Sequence, residues 1–495
     1  MVNTRIRTCM NVFCADNVKK RFAISCIIIT ALALFLLRVP TILKNPFFVG
    51  DSGYRMNFAD TIIVILGNRF WLPFLQLHIK FFYQLGLPYW MFKFIPAFYF
   101  LLALIFLGIV TYRMLDKSYP SLLFSLFLVF CFAHEQGVKF LNVNLYQEIL
   151  ETALFYILLY LGMLDLKKRW LLLLIASVAL LTRECFWVYL FVLSLINWRK
   201  IISDKVYIFS FIWLWLIPIC WLLVFPLRRS ITSGNFPGGF LINQNLHVAS
   251  GYFTSLSSLG SALLSNKIHF FATGLIVVFV LITLRLKARE NKVIQSDVFA
   301  ARFQVFSLLS LAIIYSFFLL FDPFQCTYGN MRMGIPLLSH MFTWAGILYY
   351  KTFSCRNTLK IFSRFILILS ISFTVNGQQG ELFGKEYPET LKFYQQIKNL
   401  KNNVYNDTEP NVCIVAQDYW ETLRIFLAPT LYMNRKMVGS KNDYSFDESD
   451  IVIAPSHFKF KDSRFLRYAK GNIGKKSYII YYRKRDNRHS IRKNT

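Results

Sequence analysis

Apolar runs alternate with short polar segments along most of the chain. A run of roughly 17–25 residues with few charges is typical of a helix that crosses a lipid bilayer. Eleven runs of about this kind are predicted, the fifth and sixth of them short, at residues 22–43, 89–112, 120–134, 146–164, 170–182, 184–198, 206–226, 269–285, 302–321, 335–350 and 361–376. The pattern therefore predicts an all-α polytopic membrane protein.

Lysine and arginine are concentrated in alternate loops between these runs. If the N-terminus lies in the cytoplasm, every second loop does so too, and each of these loops carries lysine or arginine, at residues 113–117, 167–169, 199–205, 285–292 and 351–360. An excess of Lys and Arg marks cytoplasmic loops. We therefore expect a multi-pass protein of the cell inner (cytoplasmic) membrane with a cytoplasmic N-terminus.

The odd number of runs places the end of the chain outside the cytoplasm. Residues 377–482 mix short β-like runs with helix-like ones, which predicts a small extracytoplasmic α/β domain. The β-like runs are at 412–416, 451–454 and 478–482, and the helix-like runs are at 390–400 and 419–431. The predicted organisation is a membrane domain at 1–376 with a first outer loop at 44–88, the α/β domain, and a basic disordered tail at 483–495.

Composition supports this picture and excludes several classes of function. Of the 495 residues, 56% are hydrophobic and only 16% are charged, whereas a soluble chain carries about 25% charged residues. Much of the net charge of +29 lies in the short loops, so no nucleic-acid partner is expected. The nine cysteines form no CxxC or Cys/His cluster, and no Walker, Rossmann, HExxH or GxSxG pattern carries weight, so no metal site is assigned.

The first outer loop is where carboxylates, arginines and aromatics first occur together outside an apolar run. Asp51 lies between glycines, and Tyr54 and Arg55 follow it. Aspartate ahead of a helix is a common N-cap, so capping and catalysis are both open for Asp51. Residues 70–85 are apolar but contain several polar side chains, which favours a helix lying along the membrane surface.

Further candidates fall on the same predicted membrane face. Glu148 begins the fourth run, where the helix dipole favours an acid. Glu151, one turn deeper, would be costly against lipid and should face protein or a wet cavity. Arg183 and Arg332 stand at predicted outer helix ends, and Arg228 begins the second long outer loop. Such arginines can simply extend their charged ends to the membrane–water interface. A guanidinium also binds phosphate bidentately, so phosphate binding is the alternative.

A series of short motifs occurs in a definite order along the chain. After the acid of the first outer loop come W-x-P-x-x-Q (Trp71, Pro73, Gln76), Tyr146-Gln147-Glu148, an LTR-E segment (Leu181 to Glu184) and G-x-x-R-x-x-x-P (Gly329, Arg332, Pro336). With the outer α/β domain, this order resembles the GT-C superfamily of membrane glycosyltransferases, which includes protein O-mannosyltransferases and lipid A aminoarabinose transferases. One departure is that many members carry two adjacent acids in the first loop, whereas Ser52 follows Asp51 here.

The resemblance implies transfer of a sugar from a polyprenyl-phosphate donor to a lipid, glycan or protein acceptor at the outer membrane face, with inversion. Asp51 would be the general base and Glu148 a second acid. Arg183, Arg332 and Arg228 would bind the lipid phosphate, and the remaining loop residues would line the substrate, namely Tyr54, Arg55, Trp71 and Gln76. No cofactor is expected beyond the lipid-linked donor, and participation of a divalent metal stays open.

Two alternatives remain from the sequence. A transporter or flippase of lipid-linked saccharides would place polar or ionisable residues at mid-depth in several helices. The predicted spans are apolar at mid-depth, with the ionisable residues near one face, which favours the enzyme. The second alternative is a non-catalytic GT-C-like scaffold, to which the missing second acid in the first loop gives weight.

Overall fold

The computed structural model describes most of the helical part of the chain and a C-terminal sheet. The described residues are 2–44, 72–85, 89–114, 119–135, 138, 147–166, 169–231, 295–321, 336, 338–347, nine residues between 392 and 404, 412–415, 446, 449–458, 461–473 and 476–484.

Ten α-helices and two short 3-10 helices have defined bounds. The α-helices are α1 (Val2–Lys44), α2 (Phe74–Gln84), α3 (Phe94–Met114), α4 (Tyr119–His134), α5 (Gln147–Tyr160), α6 (Arg169–Leu180), α7 (Cys185–Ile196), α8 (Trp198–Ser203), α9 (Lys205–Ile231) and α10 (Gln295–Phe321). The 3-10 helices are Tyr89–Lys93 and Met163–Asp165. Residues 338–347 are also helical and are called the 338–347 helix.

The helices follow the apolar runs closely. Nine of the eleven predicted runs contain described helix, and the runs at 269–285 and 361–376 lie outside the described residues. The helix predicted at 70–85 corresponds to α2, and its position along the membrane surface stays a prediction. Among the described residues, two helical stretches are long and apolar enough to cross a membrane, Val18–Pro40 and Met91–Met114. The count of eleven spans and the orientation of the termini stay predictions.

Helix α3 is the centre of the bundle, because it packs against α1, α4 and α5. Its buried face includes Phe100, Leu104 and Leu107, all fully inaccessible to solvent. Gly108 lies where α1 and α4 approach, and a Cβ atom at this position would lie 2.6 Å from Ile27 Cγ2. The glycine therefore permits a close contact between helices that a larger residue would push apart.

The interior of the bundle is not uniformly apolar. His340, in the 338–347 helix, is fully buried, as are Ser307 and Ser310 of α10. Buried polar side chains therefore occur within two of the predicted apolar runs, while the expectation that the spans are apolar at mid-depth in the membrane stays a prediction.

The end of α5 that leads into the loop at 167–169 is fixed by a polar turn. Arg302 Nη1 donates to Asp165 Oδ1 at 2.7 Å, and Lys200 Nζ donates to the Asp165 carbonyl at 2.6 Å. The hydroxyl of Tyr207 donates to the carbonyl of Leu166, a residue with a positive φ of 54°. These bonds join the α5 end to α8, α9 and α10. The Asp165–Arg302 pair is partly exposed at this end of the bundle.

The described C-terminal strands form a four-stranded mixed sheet. The strands are β1 (Val412–Ile414), β2 (Ile451–Pro455), β3 (Phe465–Ile473) and β4 (Lys476–Arg483), in the order β1-β2-β4-β3. β1 and β2 are parallel, and β4 pairs antiparallel with both β2 and β3. The three β-like runs of the sequence are confirmed as β1, β2 and β4, whereas β3 was missed. β4 also continues one residue into the predicted tail.

Candidate active site where three helix starts converge

Three segments that are distant in sequence meet at one end of the bundle. Gln147, the first residue of α5, donates from its side-chain Nε2 to the Leu72 carbonyl at 3.2 Å. The backbone N–H of Phe74, the first residue of α2, donates to the Leu181 carbonyl at 3.1 Å. Leu181 begins the four-residue connection between α6 and α7. The start of α2 is thereby fastened to both the start of α5 and the start of α7.

A buried ionic cluster lies at this convergence. Arg183, in the α6–α7 connection, places Nη1 3.0 Å from Glu148 Oε1 and Nε 3.6 Å from Glu151 Oε2. The exposed fractions are 8% for Arg183, 0% for Glu148 and 2% for Glu151. The first contact is a charge-assisted hydrogen bond, and the second is too long to be one. Two carboxyl groups share one guanidinium, so the cluster carries one excess negative charge when both are ionised.

Local structure explains why the cluster forms. Glu148 and Glu151 are three residues apart on α5 and therefore share one face of the helix. Thr152 stabilises that turn, because its Oγ1 donates to the Glu148 carbonyl at 3.0 Å. On the other side, Trp187 Nε1 donates to the Leu180 carbonyl at 2.9 Å across the α6–α7 connection. Both halves of the ionic contact thus rest on constrained backbone.

Gln76 is buried near the start of α2, beside this convergence. It is 0% exposed, and neither its amide nitrogen nor its amide oxygen has a hydrogen-bond partner among the residues that the structure describes. Gln76 lies two residues along α2 from Phe74, whose N–H contacts Leu181. Its amide is therefore a buried donor and acceptor close in sequence to the contact that joins α2 to the α6–α7 connection.

A third contact of helix α2 with the rest of the bundle is made by His78. The carbonyl of Phe74 lies 3.1 Å from His78 Nδ1, and the Tyr99 hydroxyl lies 2.9 Å from His78 Nε2. A carbonyl only accepts, so Nδ1 carries the proton and Nε2 accepts from Tyr99. Burial lowers the pKa of His78, which favours this neutral form. The imidazole therefore ties α2 to α3.

An apolar pocket lies between α5, α6, α7 and α9, next to the connection that carries Arg183. Leu180 and Phe186, which flank that connection, both line the pocket. Most of the other lining side chains are aliphatic or aromatic, including Leu173, Ala176, Leu190, Phe211 and Leu214. Its chemistry suits a hydrocarbon chain rather than a polar group.

The structure therefore places part of the predicted site and leaves part of it undescribed. Glu148 and Arg183 are in direct contact at the convergence, Gln76 is buried near the start of α2, and Glu151 faces protein as its depth in the run predicted. Asp51, Tyr54, Arg55, Trp71 and Arg332 lie outside the described residues, as does the side chain of Arg228. The chemical roles given to all these residues stay predictions.

The sequence did not predict that Arg183 would bind both glutamates. The signal was present in the i, i+3 spacing of Glu148 and Glu151 and in an arginine at the end of a neighbouring short run. Among the described residues, no group of three or more His, Cys, Asp or Glu side chains could hold a metal ion.

Comparison with known proteins gives a weak structural likeness. No family model matches the chain, and no curated protein matches it either. Among solved structures, the chain is similar to the crystal structure of ArnT from Cupriavidus metallidurans in the apo state. The TM-score is 0.49 at 12% sequence identity, over 92% of this chain and 97% of that one. A likeness at this level does not establish a family.

Proposed function

We propose that this protein is an integral membrane glycosyltransferase of GT-C type. It would move a sugar from a polyprenyl-phosphate donor to a lipid, glycan or protein acceptor at the outer face of the membrane, with inversion. The observation that carries this proposal is the convergence of three motif segments. W-x-P-x-x-Q, Tyr-Gln-Glu and LTR-E are each weak alone, yet hydrogen bonds and an ion pair join all three at one end of the bundle.

In this proposal Asp51 is the general base. It removes the proton from an acceptor hydroxyl, and the oxygen attacks the anomeric carbon on the face opposite the lipid phosphate. The new C–O bond forms as the bond to the phosphate oxygen breaks, so configuration inverts and no covalent enzyme intermediate is needed. A positioned base contributes about 10²–10⁴-fold to such a rate. Glu148 is the second acid, and its ion pair with Arg183 holds it in a defined orientation.

The cluster's charge changes the role proposed for Arg183. An approaching phosphate would meet a guanidinium that already contacts two carboxyl groups. We therefore assign Arg183 to positioning Glu148 and Glu151, and we assign stabilisation of the leaving phosphate to Arg332 or Arg228. The cluster and the unpaired amide of Gln76 together offer acceptors and a donor to neutral hydroxyl groups such as those of a sugar. The apolar pocket beside the connection would accept part of the isoprenoid chain.

The test is sugar transfer by purified protein in proteoliposomes, using a panel of polyprenyl-phosphate sugars. We expect Asp51→Asn to lose transfer by about 10²-fold or more, because the amide cannot accept the hydroxyl proton. Asp165→Asn is the matched control, since that carboxylate also pairs with an arginine but at the opposite end of α5. Undiminished transfer by Asp51→Asn would remove Asp51 as the base and leave Glu148 as the candidate.

A transporter or flippase of lipid-linked saccharides is the second candidate, favoured by the buried His340 inside the bundle. The same assay separates the two functions. A glycosyltransferase yields a new glycoside and free polyprenyl phosphate, whereas a flippase moves an unchanged lipid-linked sugar to the other leaflet. A non-catalytic scaffold would do neither.

A further inference from the structure

A hydrogen-bonded group of four side chains lies inside the bundle, and one of them, Tyr189, also lines the apolar pocket. His340 Nδ1 lies 2.7 Å from Ser307 Oγ, and His340 Nε2 lies 3.2 Å from the Tyr189 hydroxyl. Trp344 Nε1 donates to Ser307 Oγ at 3.0 Å. All four side chains are buried, and the aromatic rings of Phe155, Phe303 and Phe306 surround the imidazole. The group joins α7, α10 and the 338–347 helix.

Both ring nitrogens of His340 have a hydroxyl partner, Ser307 on the Nδ1 side and Tyr189 on the Nε2 side. An indole N–H only donates, so Ser307 Oγ accepts from Trp344. Serine and tyrosine hydroxyls both donate and accept, so either neutral tautomer of His340 hydrogen-bonds both of them. His340 is therefore a doubly hydrogen-bonded connector between two helices.

The neighbouring residue extends the connection to α5. Ser339 Oγ donates to Thr152 Oγ1 at 3.4 Å, and Tyr156 donates to the Ser339 carbonyl at 3.0 Å. Thr152 in turn donates to the carbonyl of Glu148. A polar path thus runs from His340 through Ser339 to the turn of α5 that carries the candidate acid.

These contacts close into a ring. Starting at Glu148, the ring passes to Arg183 by the ion pair, along α7 to Tyr189, across to His340, and through Ser339 and Thr152 back to Glu148. The two ends of the ion pair stand on different elements, α5 and the α6–α7 connection. The ring is a further link between those elements, besides the two hydrogen bonds through the start of α2, so it bears on where Glu148 lies relative to Arg183.

We propose that His340 is a positioning residue that sets the alignment of Glu148 against Arg183 through this ring. The catalytic consequence rests on the proposed function, whereas the mechanical coupling does not. Opening the ring at His340 removes the side-chain hydrogen bonds that join the 338–347 helix to Tyr189 of α7 and to Ser307 of α10. A shift of about 1 Å at a reacting group can lower turnover by about 10²-fold.

The first experiment measures coupling without any transfer assay. His340→Phe keeps an aromatic ring among Phe155, Phe303 and Phe306 but removes both hydrogen bonds. It is combined with Glu148→Gln, because the side chains of His340 and Glu148 are not in contact. Equilibrium unfolding of the two single variants and of the double variant is followed in mixed detergent micelles. Separate sites without shared partners give additive effects. We expect a clearly non-additive pair, whereas Phe306→Leu with Glu148→Gln, the control from the same aromatic cluster, should be additive. If the unfolding free-energy changes of His340→Phe and Glu148→Gln are additive, the proposed coupling through the ring is overturned.

The second experiment measures donor turnover in proteoliposomes. We expect His340→Phe to lower kcat by about 10²-fold with the donor KM unchanged, because the bound substrate is intact but the acid is displaced. His340→Gln should recover most of the loss, since its amide can donate to Tyr189. A kcat no lower than that of Phe306→Leu would overturn the proposal. If wild-type protein transfers no sugar, the proposed function fails, while the unfolding experiment still decides the ring.

Discussion

Replacing Arg183 by methionine tests the buried ionic cluster most severely. Methionine keeps an unbranched, flexible side chain but leaves Glu148 and Glu151 without their cation. At 3.0 and 3.6 Å, each attraction amounts to about 5 kcal/mol with an effective dielectric constant of about 20. Desolvation already offsets much of that energy in the native protein, so the expected loss of stability is about 3–5 kcal/mol. The measurement is equilibrium unfolding in mixed detergent micelles, followed by intrinsic fluorescence.

Two further variants make this prediction specific. The triple variant Arg183→Met/Glu148→Leu/Glu151→Leu removes all three charges, and apolar replacement of a buried ionic group is often neutral or stabilising by about 1–4 kcal/mol. It should therefore recover most of the stability. Arg302→Met breaks the partly exposed pair with Asp165 and should cost no more than about 1 kcal/mol. A loss from Arg183→Met as small as that of Arg302→Met would refute the buried cluster.

Three smaller predictions follow from other parts of the structure. Gly108→Val should destabilise the bundle by about 1–3 kcal/mol through overpacking against Ile27. The free energy of unfolding is measured in the same micelles, and a value equal to wild type would contradict the close crossing of the helices. Gly471→Ala should lower the midpoint at which the C-terminal sheet unfolds, because its Cβ would overlap the ring of Phe393. An unchanged midpoint would contradict that packing. Burial raises the pKa of Cys413 to about 11, so iodoacetamide should modify it slowly at pH 8 and faster only as pH approaches that value or the sheet unfolds. Rapid labelling of folded protein at pH 8 would contradict the buried position.

Much of the helical architecture could be predicted because it depends on averages over long windows. The bounds of α3, α4 and α7 lie within a few residues of the apolar runs at 89–112, 120–134 and 184–198. Strand β3 was missed because its sequence, FLRYAKGNI, contains charges and a glycine that obscure alternation. Its place is fixed by pairing with β4, a non-local effect.

The candidate site could be predicted in part for a similar reason. Placing Glu148 and Arg183 on one membrane face needed only the alternation of basic loops. Their direct contact, and the ring through His340, depend on how separate helices pack, which no local pattern encodes. A single histidine in an apolar run gives no spacing signal, so its partners Tyr189 and Ser307 could not be deduced from sequence.

If sugar transfer occurs where α2, α5 and the α6–α7 connection converge, the buried carboxylate of Glu148 is needed for it. This is measured by the single-turnover rate of transfer by Glu148→Gln, compared with Asp165→Asn at equal amounts of folded protein. We expect a fall of about 10²-fold or more for Glu148→Gln and a wild-type rate for Asp165→Asn. Wild-type transfer by Glu148→Gln would show that the buried carboxylate at the convergence takes no part in the reaction, and would exclude this convergence as the site of transfer.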